Sequence, residues 1–313
     1  MEENTKNSNL KENIKKLLEN LKKFEKKKDD SSYIEWINKI TEPKYFFISD
    51  IINYFLDQLT TRELKEQVLF LLRKLYEFKK ENVAPQLIYN KEFIKGLINY
   101  VNHNNKKDTL SESSFYILSE LYYEENFQNY INEDYISTLF YGLKYVHDNI
   151  LLNKIIDVLL EINTKSYAKE INLFLEVYMV HPCSRILSEI FLRVVNVEEN
   201  KKRLGKILNC LNDLMDNGKS CIFCNSDIKI FIDILISQLQ SNTSTELTII
   251  LLNTLERLTI YQEYYDCLYK VDDITELMED FEGSIEQNTE VRRISKQIVI
   301  NITDHQGKHN NLN

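Results

Sequence analysis

Apolar residues recur at helical spacing almost without pause from about residue 32 to 302. Between 62 and 79, Leu64, Val68, Leu71, Leu72 and Leu75 fall on one face of a helix, and Arg62, Glu63, Lys65, Glu66, Arg73 and Lys74 on the other. The same pattern predicts helices over roughly 32–41, 45–59, 91–102, 110–124, 134–147, 150–163, 168–180, 184–196, 201–216, 226–240, 245–260, 272–282 and 288–302, each followed by a short polar break. Several breaks carry cap chemistry. Ser226 or Asp227 suits the start of the helix beginning at Ile228, Pro182 interrupts two helices, and Asn217 with Gly218 suits a left-handed C-terminal cap.

Helices of about 10 to 18 residues with such short connections lie antiparallel to their neighbours, and pairs recur about every 35 to 45 residues. The reading is an all-α fold, an armadillo or HEAT-like right-handed superhelix of stacked helix pairs, forming one domain over 31–303. It rests on helix length and spacing, since no consensus repeat can be written. Residues 1–30, with thin leucines at Leu10, Leu17, Leu18 and Leu21, read as a polar, frayed tail or helix, and 304–313 as a disordered polar end.

Composition narrows this further. The 313 residues include only 6 Gly and 3 Pro, too few for the turns of a strand-rich sandwich or the glycine loops of a phosphate-binding enzyme. A net charge of -9 disfavours nucleic acid and anionic membranes as bulk partners. The start, from Met1 to Lys16, shows no apolar core of a signal peptide, and no apolar stretch reaches a bilayer span. Five cysteines without a secretory leader fit free buried thiols in a reducing compartment, so the expected location is the cytoplasm.

Catalytic and metal chemistry find little to build on. Cys221 and Cys224 form a lone C-x-x-C, while Cys183, Cys210 and Cys267 are scattered, so the four soft ligands of a zinc site are missing and the pair reads as small apolar side chains in a helix-to-helix turn. The histidines, His103, His147, His181, His305 and His309, form no H-E-x-x-H pattern. Asp272 and Asp273 read as solvated cap residues rather than an acid and base. The expectation is a non-enzyme without metal, cofactor or small-molecule substrate.

Aromatic residues are plentiful, 19 Tyr and 15 Phe against the single Trp36. Tyr45, Phe46 and Phe47 cluster early. Tyr261, Tyr264, Tyr265 and Tyr269 lie in a polar stretch between helices, where four tyrosines within nine residues cannot all point inward, which makes them candidate partner anchors.

Residues 223 to 239, FCNSDIKIFIDILISQL, resemble the segment F-Y-T-N-D-L-K-V-L-I-D-I-I-I-R-Q-L of one family of armadillo-like proteins. Leu252, Leu255 and Leu258, then Gln262, Glu263 and Tyr264, then Tyr269, Lys270, Val271, Asp272, Asp273 and Ile274, are similar to that family's L-x-x-L-x-x-L-L-x-N-T-E-Y and H-Y-K-R-D-D-L. Upstream, His181-Pro182-Cys183-Ser184 and the run from Ser188 to Asn196 are similar to its H-P-x-S and G-E-x-L-L-x-L-L-N-R. The blocks keep their order and cover about 170 to 275. The family is the leucine-rich domain of the Wiskott-Aldrich-syndrome-protein-interacting adapters, WISH or SPIN-ninety in animals and Dip or Ldb-seventeen in yeasts. Where it has Arg, His and Arg, this chain has Val197, Leu268 and Val271.

The resemblance implies an activator that binds the actin-related protein 2/3 complex directly and nucleates unbranched seed filaments without a pre-existing filament, at cortical actin patches. With 3 prolines the chain resembles the short fungal form. The matched polar positions are Asp227 and Lys229 at one helix start and Tyr269, Lys270 and Asp273 at another. Tyr264 joins them from the tyrosine cluster, and Arg292 and Arg293 form a basic pair near the same end. Asp227 and Asp273 equally suit a purely capping role, whereas Lys270 is the sharper candidate. The alternative is a generic armadillo-type scaffold or transport adapter holding an extended peptide, although such grooves commonly repeat Asn and Trp.

Overall fold

The computed structural model describes residues 47–58, 60–104, 112–166, 172–217, 222–242, 244–283 and 288–310, with six isolated positions before them. Most of the N-terminal tail, including Leu10, Leu17, Leu18 and Leu21, together with Trp36, Tyr45, Phe46, Gly218 and Cys221, lies outside the described residues. Those described are helical with no strand, so the chain is all-α. No helix among them is long and apolar enough to cross a membrane. They divide into two compact units, Met1–Val158 and Leu159–Asn313.

The first unit holds α1 (Phe47–Leu56), α2 (Arg62–Phe78), α3 (Lys80–Tyr89), α4 (Lys91–Asn104), α5 (Glu112–Leu121), a 3-10 turn over Glu125–Tyr130 and α6 (Glu133–Tyr145). The apolar stripe of α2 is the one the sequence marks, for Leu64, Val68, Leu71, Leu72 and Leu75 are all buried. Helix α3 falls where a break is expected and contains Pro85. It forms because Val83, Ala84, Leu87 and Ile88 share one buried face while Pro85 stays at the surface, so packing overrides the missing N–H donor.

Helix packing in this unit is close. A Cβ added at Gly96 on α4 would meet Leu56 Cδ2 at 2.7 Å, and one at Gly142 on α6 would meet Ile155 Cδ1 at 2.8 Å and Phe115 Cδ1 at 3.1 Å. Side chains also bridge helices distant in sequence. The Arg73 guanidinium lies 4.5 Å from the centre of the Tyr116 ring, Lys80 pairs with Glu124 at 2.9 Å, and Lys154 pairs with Glu120.

Helix α7 (Asn149–Ser166) contains the boundary between the units. The second unit continues with α8 (Leu173–Val180), α9 (Ser184–Val197), α10 (Lys201–Asn217), α11 (Asn225–Ser241), α12 (Thr245–Thr259), α13 (Gln262–Cys267), α14 (Val271–Gly283) and α15 (Thr289–Asn310). Periodicity misses the short α13 and ends α15 at 302, short of Asn310.

Helix α8 packs on α9 and α10, α9 on α10 and α11, and α12 on both α10 and α11. Helices α10 and α12 run parallel, since Gly205 faces Ile250 and Asp216 binds Arg257 through two bonds of 2.8 Å. Lys206 reaches Glu161 at 2.8 Å and Asn163 donates to Asp213 at 2.6 Å. Within the units, long-range side-chain bonds recur at separations between 32 and 50 residues, close to the predicted spacing of helix pairs.

Candidate functional site

Helix α11 begins at a cap that the sequence places two or three residues late. Cys224, rather than Ser226 or Asp227, is the N-cap, and Asp227 closes a capping box by accepting from the Cys224 backbone N–H at 3.2 Å. The exposed Cys224 thiol also donates to Asp227 at 2.9 Å, so this cysteine is a polar cap and not an apolar filler. Asp227 is thereby engaged within its own helix start.

One turn further, Lys229 and Asp233 sit four residues apart on the exposed face of α11. Across from them the chain passes from α13 to α14 through two left-handed residues, Leu268 at φ 40° and Lys270 at φ 53°. Each carries a side chain in a region that costs about 1–2 kcal/mol outside glycine. The backbone N–H of Leu268 donates to Tyr264 O at 2.8 Å, which ends α13.

This turn places Tyr269 and Lys270 against Asp233. The Tyr269 hydroxyl donates to both carboxylate oxygens at 3.2 Å, and Lys270 Nζ lies 2.9 Å from Oδ1 and 3.6 Å from Asp273. The ammonium groups of Lys229 and Lys270 stand 5.7 and 5.9 Å from the Tyr269 ring centre. Partial burial and then the Asp233 carboxylate raise the Tyr269 pKa, and the bond to Asp233 raises that of Lys270. A neutral phenol, two ammonium groups and two carboxylates therefore form one half-exposed mixed-charge cluster.

Four predicted residues, Lys229, Tyr269, Lys270 and Asp273, thus come together, and the residue that joins them was missed. Asp233 lies mid-helix and matches no cap pattern. Its sequence signals are the spacing from Lys229 and its match to the second Asp of the resembled segment.

Three other assignments change. Tyr264 is fully buried, so it belongs to the core and is withdrawn as a partner contact; burial raises its hydroxyl pKa, with Cys267 adding to the shift. Of the other tyrosines in that stretch, Tyr261 donates to Met215 O at 3.1 Å. Arg293 is exposed on α15 and held by Glu290 in two bonds of 3.0 and 2.8 Å, while Arg292 is half-buried beside it.

A groove of about 660 Å³ opens beside the start of α11, between Met179, Arg185, Phe223 and Glu263. His181, which lies in sequence between the lining residues Met179 and Ser184, is buried and accepts the Cys183 N–H at 3.2 Å on Nδ1; desolvation lowers its pKa to about 4, so the ring is neutral. Among the described residues no three His, Cys, Asp or Glu side chains gather as metal ligands.

No protein-family model matches the sequence, and neither does any curated protein. Among solved structures, the crystal structure of an engineered protein is similar at 12% identity over 82% of this chain and 97% of that one, with a TM-score of 0.39. So loose a likeness bears on neither fold family nor function.

Proposed function

We propose that the chain is a stacked-helix docking protein, of the armadillo or HEAT kind, that binds the actin-related protein 2/3 complex and favours its filament-nucleating state. The stacking is supported by the parallel α10 and α12 and by the recurrence of long-range bonds at 32 to 50 residues. The observation that carries the binding reading is the joining of Lys229, Tyr269, Lys270 and Asp273, residues the resemblance singles out, around Asp233 on a half-exposed edge. An aromatic ring flanked by cations beside carboxylates suits a partner surface of mixed charge, because such a cluster fixes orientation more than it supplies raw affinity.

The mechanism is population shift. A ledge that touches the complex better in its active arrangement moves the equilibrium by the difference in the two affinities, and no bond is made or broken. A direct binding titration of the fluorescently labelled complex tests this. Wild-type chain is expected to bind, and Lys270→Glu to bind at least tenfold more weakly, a loss of about 1.4 kcal/mol. Equal affinity in a variant with unchanged helicity contradicts the assignment of this edge.

A further inference from the structure

A second open surface lies between the first halves of α10 and α12. It is a groove of about 500 Å³ whose walls carry Lys201, Lys202 and Lys206 and whose floor is Gly205, Leu247 and Ile250. Lys201 donates to Asn242 Oδ1 at 3.3 Å and Lys206 pairs with Glu161, whereas Lys202 makes no side-chain bond among the described residues. Glu246, in the first turn of α12, is the one carboxylate on the wall. Three lysines over an apolar floor stand out in a chain of net charge -9.

The floor glycine separates this groove from ordinary packing. Glycine inside a helix costs about 1 kcal/mol relative to alanine. At Gly96 and Gly142 the cost has an internal cause, because a Cβ would strike side chains at 2.7 and 2.8 Å. At Gly205 the one neighbour within 4 Å is Ile250 Cδ1 at 3.4 Å, an ordinary contact. Packing within the chain accepts alanine here, and what glycine preserves is the depth of the groove.

We infer that this groove binds an acidic peptide segment of a partner protein, one that sets an apolar side chain over Gly205 and carboxylates beside Lys201, Lys202 and Lys206. The choice of a peptide over a single phosphate follows from the donors. First-turn N–H groups of Lys202 and Arg203 are already bonded to Asn200 Oδ1 at 3.1 and 3.2 Å, so the helix start is occupied and recognition falls to side chains spread along the groove. The surface is distinct from the Lys270 cluster, and the inference does not depend on that reading.

Fluorescence anisotropy of a fluorescein-labelled peptide of repeated Glu-Glu-Leu-Ala, titrated with the full chain, tests it. Saturable binding is expected, weakened about tenfold or more in the double variant Lys201→Glu, Lys202→Glu. Gly205→Leu, which fills the floor, is expected to weaken binding severalfold with helicity retained; should that variant fail to fold, the lysine variant carries the test. No binding, unchanged binding in the lysine variant, or unchanged binding in a folded Gly205→Leu chain overturns the inference. Equal affinity for an all-Glu peptide or for inorganic phosphate overturns it too, because attraction of charge alone then suffices. So does a single-stranded RNA or an anionic vesicle that binds more tightly than the peptide.

Discussion

The helical glycines of the two units look alike in sequence and differ in cause. Gly96 and Gly142 in the first unit sit where neighbouring side chains leave no room for a methyl group, whereas Gly205 in the second faces a groove. The contrast extends to other local rules. Apart from the surface Pro85, the first unit spends its interhelical cations on partners of its own, Arg73 on Tyr116, Lys80 on Glu124 and Lys154 on Glu120. The second unit pairs cations across helices too, Lys206 with Glu161 and Arg257 with Asp216, but it also holds the left-handed Leu268 and Lys270, the neutral buried His181, and Lys202, which makes no side-chain bond among the described residues. Departures from local consistency gather at functional surfaces more often than elsewhere, and both proposed surfaces lie in the second unit.

The comparison can be broken by stability measurements. The largest effect is expected for Phe115→Ala, which empties a fully buried ring site against Gly142 and should cost about 3–5 kcal/mol in urea melts of the chain. Acidification should expose the weak point of the second unit. His181 binds its proton more weakly folded than unfolded, so the unfolded chain holds more protons between about pH 6.5 and 4 and stability must fall as pH drops through that window. The expected loss is on the order of 2–3 kcal/mol, and His181→Gln should flatten the dependence.

The glycines give the sharper pair. Gly142→Ala should destabilise by about 1–3 kcal/mol through overpacking against Ile155 and Phe115. Gly205→Ala should stabilise by up to about 1 kcal/mol. Melting curves that move in the same direction for both variants would remove the distinction between packed and open glycines. The smallest stability effect is expected for Lys270→Gly, where relief of the left-handed strain offsets the lost Asp233 ion pair and the net change stays within about 1 kcal/mol.

How far the sequence reaches is clear from particular elements. The stripe of α2 was legible because every apolar position in it is buried and no breaker intrudes. Helix α3 was not, since Pro85 signals a break and only the unseen neighbours of Val83 and Leu87 outweigh it. The short α13 hid in a polar stretch because Tyr264 is its one buried residue. At the candidate site, helix-start residues were readable as caps and cations, but Asp233 was not, since a mid-helix carboxylate acquires its role only when the left-handed turn brings Tyr269 and Lys270 across to it. Tyr264 and Tyr269 differ by burial alone, which spacing in an irregular stretch does not encode.

The proposed activity is tested most directly by pyrenyl-actin polymerisation with the purified actin-related protein 2/3 complex and no seed filaments. Wild-type chain should shorten the lag in a dose-dependent way, and the folded Lys270→Glu variant should restore most of it. A lag unchanged at saturating wild-type protein would contradict the proposal.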